Sequence, residues 1–180
     1  SGVLYPSERD PRCFFDALSE LKSEGTINAG ELKIILRATG HDDLFLPMIE
    51  EKNIADIVFL EPSVPYVDAL QEMLEVEGLM IFQAANCNHQ IPAKIYEYLR
   101  AEKPILALTD EVGDTAGVLK RANVGMVVAL DNKDGIKQGL LDFVQQIKAG
   151  RATKADKTVW SKHSRYARTE QLAKLLDEII

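Results

Sequence analysis

One stretch of the chain concentrates side chains suited to holding an anion beside a hydroxylated ring. It runs Gln90-Ile91-Pro92-Ala93-Lys94-Ile95-Tyr96-Glu97-Tyr98-Leu99-Arg100-Ala101-Glu102-Lys103-Pro104 and is followed by the apolar run Ile105-Leu106-Ala107-Leu108. Pro92 suits the first turn of an amphipathic helix, and Lys103-Pro104 closes that helix before a strand. Lys94 and Glu97 then share one helix face near its start. A cation there is electrostatically disfavoured unless an anion compensates it. With the free N–H groups of a helix start, a cation and an acid suit a phosphate and a sugar hydroxyl. In the preceding segment, Asn86, Asn88, His89 and Gln90 form a polar loop able to offer hydrogen bonds to sugar hydroxyls.

The elements that would position these groups alternate regularly. Leu32–Arg37, Ile57–Leu60, Leu79–Phe82, Ile105–Leu108 and Gly125–Leu130 read as strands. Between and around them, Arg12–Ser23, Asp42–Lys52, Tyr66–Glu77, Thr115–Ala122 and Asp134–Lys148 read as helices, with Asp42 as a cap. The strands are short, rich in aliphatic residues and do not alternate with polar ones, which suits a parallel sheet covered on both faces. Strand–helix–strand units of this spacing predict right-handed crossovers. The fold class is therefore α/β, a doubly wound Rossmann-like parallel sheet with helices on both faces. Ligands of such sheets bind beyond the carboxyl ends of the strands, where the Gln83–Gln90 and Asp110–Thr115 loops lie.

Composition narrows the partners. With 180 residues and 46% hydrophobic content, the chain is long enough for one well-buried domain and a small appendage. A net charge of −7 argues against nucleic acid or an anionic lipid surface as the main partner. The two cysteines, Cys13 and Cys87, lack metal-ligand spacing and read as reduced thiols of a cytoplasmic protein. His41-Asp42-Asp43 has no second histidine or carboxylate cluster at ligand spacing, so no metal site is expected. Neither a G-x-G-x-x-G nor a P-loop lysine motif is present, which argues against a dehydrogenase or a nucleoside-triphosphatase. No apolar run is long enough to span a membrane.

Residues 1–150 read as the domain proper. The chain starts within an apparent first strand, Ser1 to Tyr5, which suggests an excised half of a longer protein. Residues 151–180 read as a polar connector and a final helix from Trp160 to Ile180, whose Tyr166, Leu172, Leu175, Leu176 and Ile179 would pack on the sheet.

Several segments, in order, resemble the C-terminal, nucleotide-sugar-binding domain of family-four-like glycosyltransferases of the GT-B fold. Gly2 through Arg9-Asp10-Pro11 to Ala17-Leu18 is similar to that domain's first strand, phosphate loop and first helix. Ile57 to Tyr66 resembles the strand and turn whose backbone meets the nucleobase, and brings in Pro62 and Ser63. Pro92 to Leu99 and Lys103 to Ala107 resemble the donor-binding helix and its following strand, while Asp114-Thr115-Ala116-Gly117 to Val128 resembles the next loop, helix and strand. The final helix would, in such an enzyme, cross back to the partner domain.

The resemblance implies one half of a GT-B enzyme that moves a sugar from a UDP- or GDP-linked donor to an acceptor. The acceptor would be held by an N-terminal domain absent from this chain, through which a membrane-peripheral position is available. Arg9 and Lys94 would stabilise the leaving diphosphate, and Glu97 would accept the ribose hydroxyls. Pro62, Ser63, Asn88 and Thr115 would complete donor binding. The donor is a substrate, so no cofactor is implied, and the two cations do the work a divalent metal would otherwise do. The family often carries a second glutamate separated from the first by seven residues; here that place is His89, a third candidate for catalysis. A GT-B nucleotide-sugar epimerase and a non-catalytic nucleotide-binding or assembly module are the alternatives, and this half alone would turn over little.

Overall fold

The computed structural model describes residues 1–179. Its elements in chain order are α1 (Arg12–Ser23), β1 (Ile34–Arg37), α2 (Asp42–Glu51), β2 (Val58–Glu61), α3 (Tyr66–Glu75), β3 (Leu79–Phe82), α4 (Lys94–Arg100), β4 (Ile105–Leu108), α5 (Asp114–Ala122), β5 (Met126–Val128), α6 (Lys133–Lys148), α7 (Lys157–Trp160) and α8 (Arg165–Asp177). A helical connection joins each strand to the next, and every strand pairing is parallel, as the alternation predicts.

β4 shows why the strands are apolar throughout. Leu106 and Leu108 pack with Phe14, Leu18, Ile136 and Phe143 of α1 and α6. Ile105 and Ala107, on the opposite face, pack with Ile95, Leu99, Val118 and Leu119 of α4 and α5. All four β4 side chains are buried, so neither face tolerates a polar residue. Each large aliphatic or aromatic side chain withdrawn from water in this way contributes about 1.5–3 kcal/mol.

The sheet differs from expectation in its continuity. β1 and β2 form one pair, while β3, β4 and β5 form a separate three-stranded sheet. The Ser1–Tyr5 segment, expected as a strand, is extended but lacks a full ladder. It donates only two backbone hydrogen bonds to the end of the first pair: Gly2 N–H to the Arg37 carbonyl at 2.8 Å and Leu4 N–H to the Thr39 carbonyl at 2.9 Å.

The carboxyl-terminal segment is also broken up more than expected. α7 is capped by Asp156, whose carboxylate accepts from Thr158 and Val159 N–H, and α8 by Ser164, whose hydroxyl oxygen accepts from Ala167 N–H. Trp160 therefore ends α7, and the cap at Ser164 starts a separate helix within the single one expected from Trp160. Trp160 and Val159 pack at the edge of the second core, but α8 buries none of its residues. Tyr166, Leu172, Leu175, Leu176 and Ile179 are exposed, which corrects the expectation that they pack on the sheet. The remaining residue of that expected helix, Ile180, lies outside the described residues. Asp42 is the first residue of α2 rather than its cap, and its carboxylate accepts a hydrogen bond from the Thr39 hydroxyl.

Candidate functional site

The carboxyl ends of all the strands lie on one side, and the loops that leave them meet there. The loop after β3 is the best anchored. Gln83, 3% exposed, extends the apolar strand by one polar residue and turns its amide into the loop. Its Nε2 donates to the Cys87 and Gln90 carbonyls, each at 2.6 Å, and its Oε1 lies 2.8 Å from the Thr115 hydroxyl. Thr115, at the start of α5, is fully enclosed, and its Oγ1 is also 3.1 Å from the Gln90 carbonyl. Asn88 joins the same loop to the one after β4. Its Nδ2 donates to Asp110 Oδ2 at 2.7 Å, and its carbonyl accepts from Asp114 N–H at 2.8 Å. The Asn88 amide holds the Asp110 carboxyl below its ordinary pKa. Asn88 Oδ1 is buried without a partner. Thr115 and Asn88 thus hold loops together here, and neither lines the two cavities described below.

The loop after the extended N-terminus carries Arg9. It is tied across to the β3 loop by Ala84 N–H donating to the Glu8 carbonyl at 2.7 Å and by Asn86 Nδ2 donating to the Ser7 carbonyl at 3.0 Å. Arg9 itself donates one N–H to the Val3 carbonyl at 2.9 Å, and its guanidinium carbon lies 5.6 Å from the Tyr5 ring centroid. The other guanidinium donors make no protein hydrogen bond among the described residues.

Lys94 opens α4, as expected, and reaches back to the N-terminal segment. Its Nζ donates to the Ser1 carbonyl at 2.8 Å. Gly2 is required beside it. With φ at +113° the backbone is in a region that side chains rarely adopt, and a Cβ there would meet Lys94 Nζ at 3.1 Å. Burial lowers the Lys94 pKa, and the nearby Arg9 charge lowers it further, while Glu97 acts in the opposite sense. Glu97, one turn on, is exposed and accepts a hydrogen bond from the Tyr66 hydroxyl at 3.1 Å. That contact raises the Tyr66 pKa.

Arg9, Lys94 and Glu97 line one end of a cavity of about 700 Å³. A second hollow of about 230 Å³ continues past Arg9 to Gln83, Gln90 and Pro92. The other sequence candidates lie elsewhere. Pro62 and Ser63 occupy the exposed turn after β2. The Pro62 carbonyl accepts from Arg37 Nη1 at 2.6 Å. His89 stands in solvent with 99% of its side chain exposed, and its Nδ1 is 3.8 Å from Asp114 Oδ2. Among the described residues no cluster of three or more histidine, cysteine, aspartate or glutamate side chains could hold a metal. Nor is any helix among them long and apolar enough to cross a membrane.

Sequence reading passed over two groups that the structure makes prominent. Arg37, buried at the end of β1, forms a bidentate pair with Glu72 of α3, which raises the arginine pKa and lowers that of the carboxylate. An arginine closing an apolar strand was the available signal, because such a charge requires a partner when buried. Gln83 carried a similar signal as a polar residue appended to a buried strand.

No protein-family model matches the chain, and no curated protein matches it in sequence. Among solved structures it is similar to the crystal structure of WaaG, a glycosyltransferase involved in lipopolysaccharide biosynthesis, with 18% sequence identity and a TM-score of 0.57. That likeness covers 86% of this chain but only 37% of the WaaG chain. At this identity it is a likeness of fold: the chain adopts the Rossmann-like architecture of one half of a GT-B glycosyltransferase.

Proposed function

We propose that this chain is the donor-binding half of a GT-B glycosyltransferase, holding a UDP- or GDP-linked sugar while a partner domain holds the acceptor. One observation carries the reading: Arg9, Lys94 and Glu97, from segments far apart in sequence, line one cavity at the carboxyl ends of the strands. The spare donors of Arg9 and Lys94 would bind the diphosphate and offset the charge that develops on it as the glycosidic bond breaks. Glu97 would accept from the ribose hydroxyls, exchanging its present contact with Tyr66. In this scheme the two cations supply the charge neutralisation and the donor is a substrate, so the reading calls for no cofactor. His89 does not line the cavity, which favours transfer over epimerisation, since an epimerase needs an acid or base facing the sugar.

Calorimetric titration of the 180-residue chain with UDP and with GDP tests the reading. One of the two should bind, and the double variant Arg9→Ala/Lys94→Ala should abolish the heat. A folded chain that binds neither would leave the non-catalytic module as the better description. Transfer by this chain alone, at the rate of a complete enzyme, would contradict the assignment of the acceptor to another domain.

A further inference from the structure

After α6 the chain returns to α4, the helix that carries Lys94 and Glu97. Trp160 donates its indole N–H to Glu102 Oε1 at 3.0 Å, and the Arg100 guanidinium carbon lies 5.7 Å from the indole ring centroid. Val159 and Trp160 pack with Tyr96 at the edge of the second core. The turn Ser161–His163 then lays the His163 ring against the Tyr96 ring, with centroids 5.1 Å apart and planes 33° from parallel. The same imidazole places its Nδ1 3.2 Å from Arg168 Nη2 of α8. We propose that His163 is an acid-sensitive clasp, tying α8 to α4 while its imidazole is neutral and releasing α8 when the ring takes a second proton.

The contacts fix the protonation state. A guanidinium only donates, so the Arg168 contact requires a lone pair on Nδ1 and leaves the ring proton on Nε2. A proton on Nδ1 would set two N–H groups and two positive charges face to face. Nothing nearby offsets that charge. Lys162 and Arg168 from the carboxyl-terminal segment and Arg121 from α5 all act on the imidazole as cations. α4 presents the Tyr96 ring, and its Arg100 lies over Trp160. Glu97 and Glu102 are engaged by Tyr66 and Trp160, and Asp156 by the first turn of α7. Burial first, and then Arg168, Arg121 and Lys162, lower the His163 pKa from the ordinary imidazole value of 6.5.

α8 has little else to hold it. None of its side chains is buried. Its other polar contacts among the described residues are the Ser164 cap, Arg168 to Gln171 and Lys174 to Glu170, all within the carboxyl-terminal segment. α7, by contrast, keeps Val159 and Trp160 against the second core whatever the state of the imidazole. Loss of the His163 contacts therefore frees α8 and leaves α7 seated. Tyr96 sits between Lys94 and Glu97 in α4, so the closed clasp bears on the helix that carries both.

Acid opens the clasp over a defined range. Released into water, the imidazole has its ordinary value of 6.5; seated against Tyr96 and Arg168, it has a lower one. The contribution of His163 is therefore complete above 6.5 and weakens as pH falls below it. It is lost once pH has fallen through the lower value. A histidine is the one side chain whose ordinary titration lies this close to neutrality, which suits it to the task.

NMR of the 180-residue chain between about pH 7.5 and 5.5 tests this. With three histidines in the chain, the His163 ring resonances can be followed individually, and they should titrate below 6.5. Over the same range the amide order parameters of residues 165–177 should fall from about 0.85 toward 0.6, while those of α4 hold. His163→Phe keeps a ring on Tyr96 and cannot take a proton, so its α8 should stay ordered throughout. His163→Lys should leave α8 mobile throughout. Arg168→Met removes one opposing charge and should raise the His163 midpoint by about half a pH unit. An α8 equally ordered at both ends of the range, or a His163→Phe chain that loosens in acid like the parent, would overturn the proposal. So would a His163 midpoint at or above 6.5, or one that Arg168→Met leaves in place. None of these readouts depends on nucleotide binding, so the clasp and the donor site stand or fall separately.

Discussion

The junction of the β3 and β4 loops and the mouth of the cavity are built from similar polar residues with opposite accounting. At the junction, the Gln83 amide, the Thr115 hydroxyl and the Asn88 amide nitrogen all find partners within the protein. At the mouth, Arg9 commits one of five donors and Lys94 one of three, each to a backbone carbonyl. A polar group whose bonds close internally fixes a loop; one held in place with donors left over is available to a ligand. Side chains that looked equivalent in sequence thus separate into framework and site.

The sharpest way to break this comparison is to remove Gln83. Gln83→Ala deletes the amide that links Cys87, Gln90 and Thr115, three hydrogen bonds in all, and leaves the Cys87 and Gln90 carbonyls with one donor each. The expected loss is about 3 kcal/mol, or roughly 6–12 °C in melting temperature for a chain of this size. Thermal denaturation followed by circular dichroism measures it. A drop below about 1 °C would mean that the loop does not depend on this residue.

Arg9→Ala should behave in the opposite way. Its guanidinium makes a single half-buried hydrogen bond, so the melting temperature should shift little. Affinity for the nucleoside diphosphate should fall about 10- to 100-fold, the worth of one or two charge-assisted hydrogen bonds. Lys94 adds a pH signature. Burial and Arg9 depress its pKa in the free chain, and a bound diphosphate would raise it again. Binding should therefore take up a proton between those two values, and affinity should be full below the lower one. It should weaken as pH rises through the pKa of the free chain. Titrations in buffers of different ionisation enthalpy read the proton directly, and Lys94→Met should abolish the uptake.

Much of the architecture was legible because it rests on local signals. Aliphatic runs marked the strands, Pro92 and Lys103-Pro104 bracketed α4, and the start and end of α1 fell where expected. Arg9, Lys94 and Glu97 could be gathered on one cavity from topology alone, since each follows or begins an element at the same sheet edge. What sequence did not reveal is long-range pairing. The division into a β1–β2 pair and a β3–β4–β5 sheet is set by tertiary placement, which no local propensity encodes. The Arg37–Glu72 pair spans 35 residues, and Asn88 and Thr115 are recruited as ties only once two loops are brought together. The amphipathic look of the last helix misled for a related reason: periodicity shows which face is apolar but not whether anything covers it.

The smallest expected effect is at His89, and it is informative because it is small. His89 is the one sequence candidate for catalysis that the structure leaves outside the cavity. Its side chain is 99% exposed, and its nearest carboxylate, on Asp114, is 3.8 Å away and itself largely exposed. A polar contact in such a setting is screened by water and salt and contributes little. His89→Ala should leave both melting temperature and nucleotide affinity unchanged within error, in contrast to Gln83→Ala and Arg9→Ala. The same variant separates the diphosphate from the sugar. A group that stands near the transferred sugar, yet clear of the nucleotide, would weaken binding of a UDP- or GDP-linked sugar while leaving free UDP or GDP untouched. If His89→Ala weakens the free nucleotide instead, the loop must close over the cavity on binding, and the division between framework and site would move to include it.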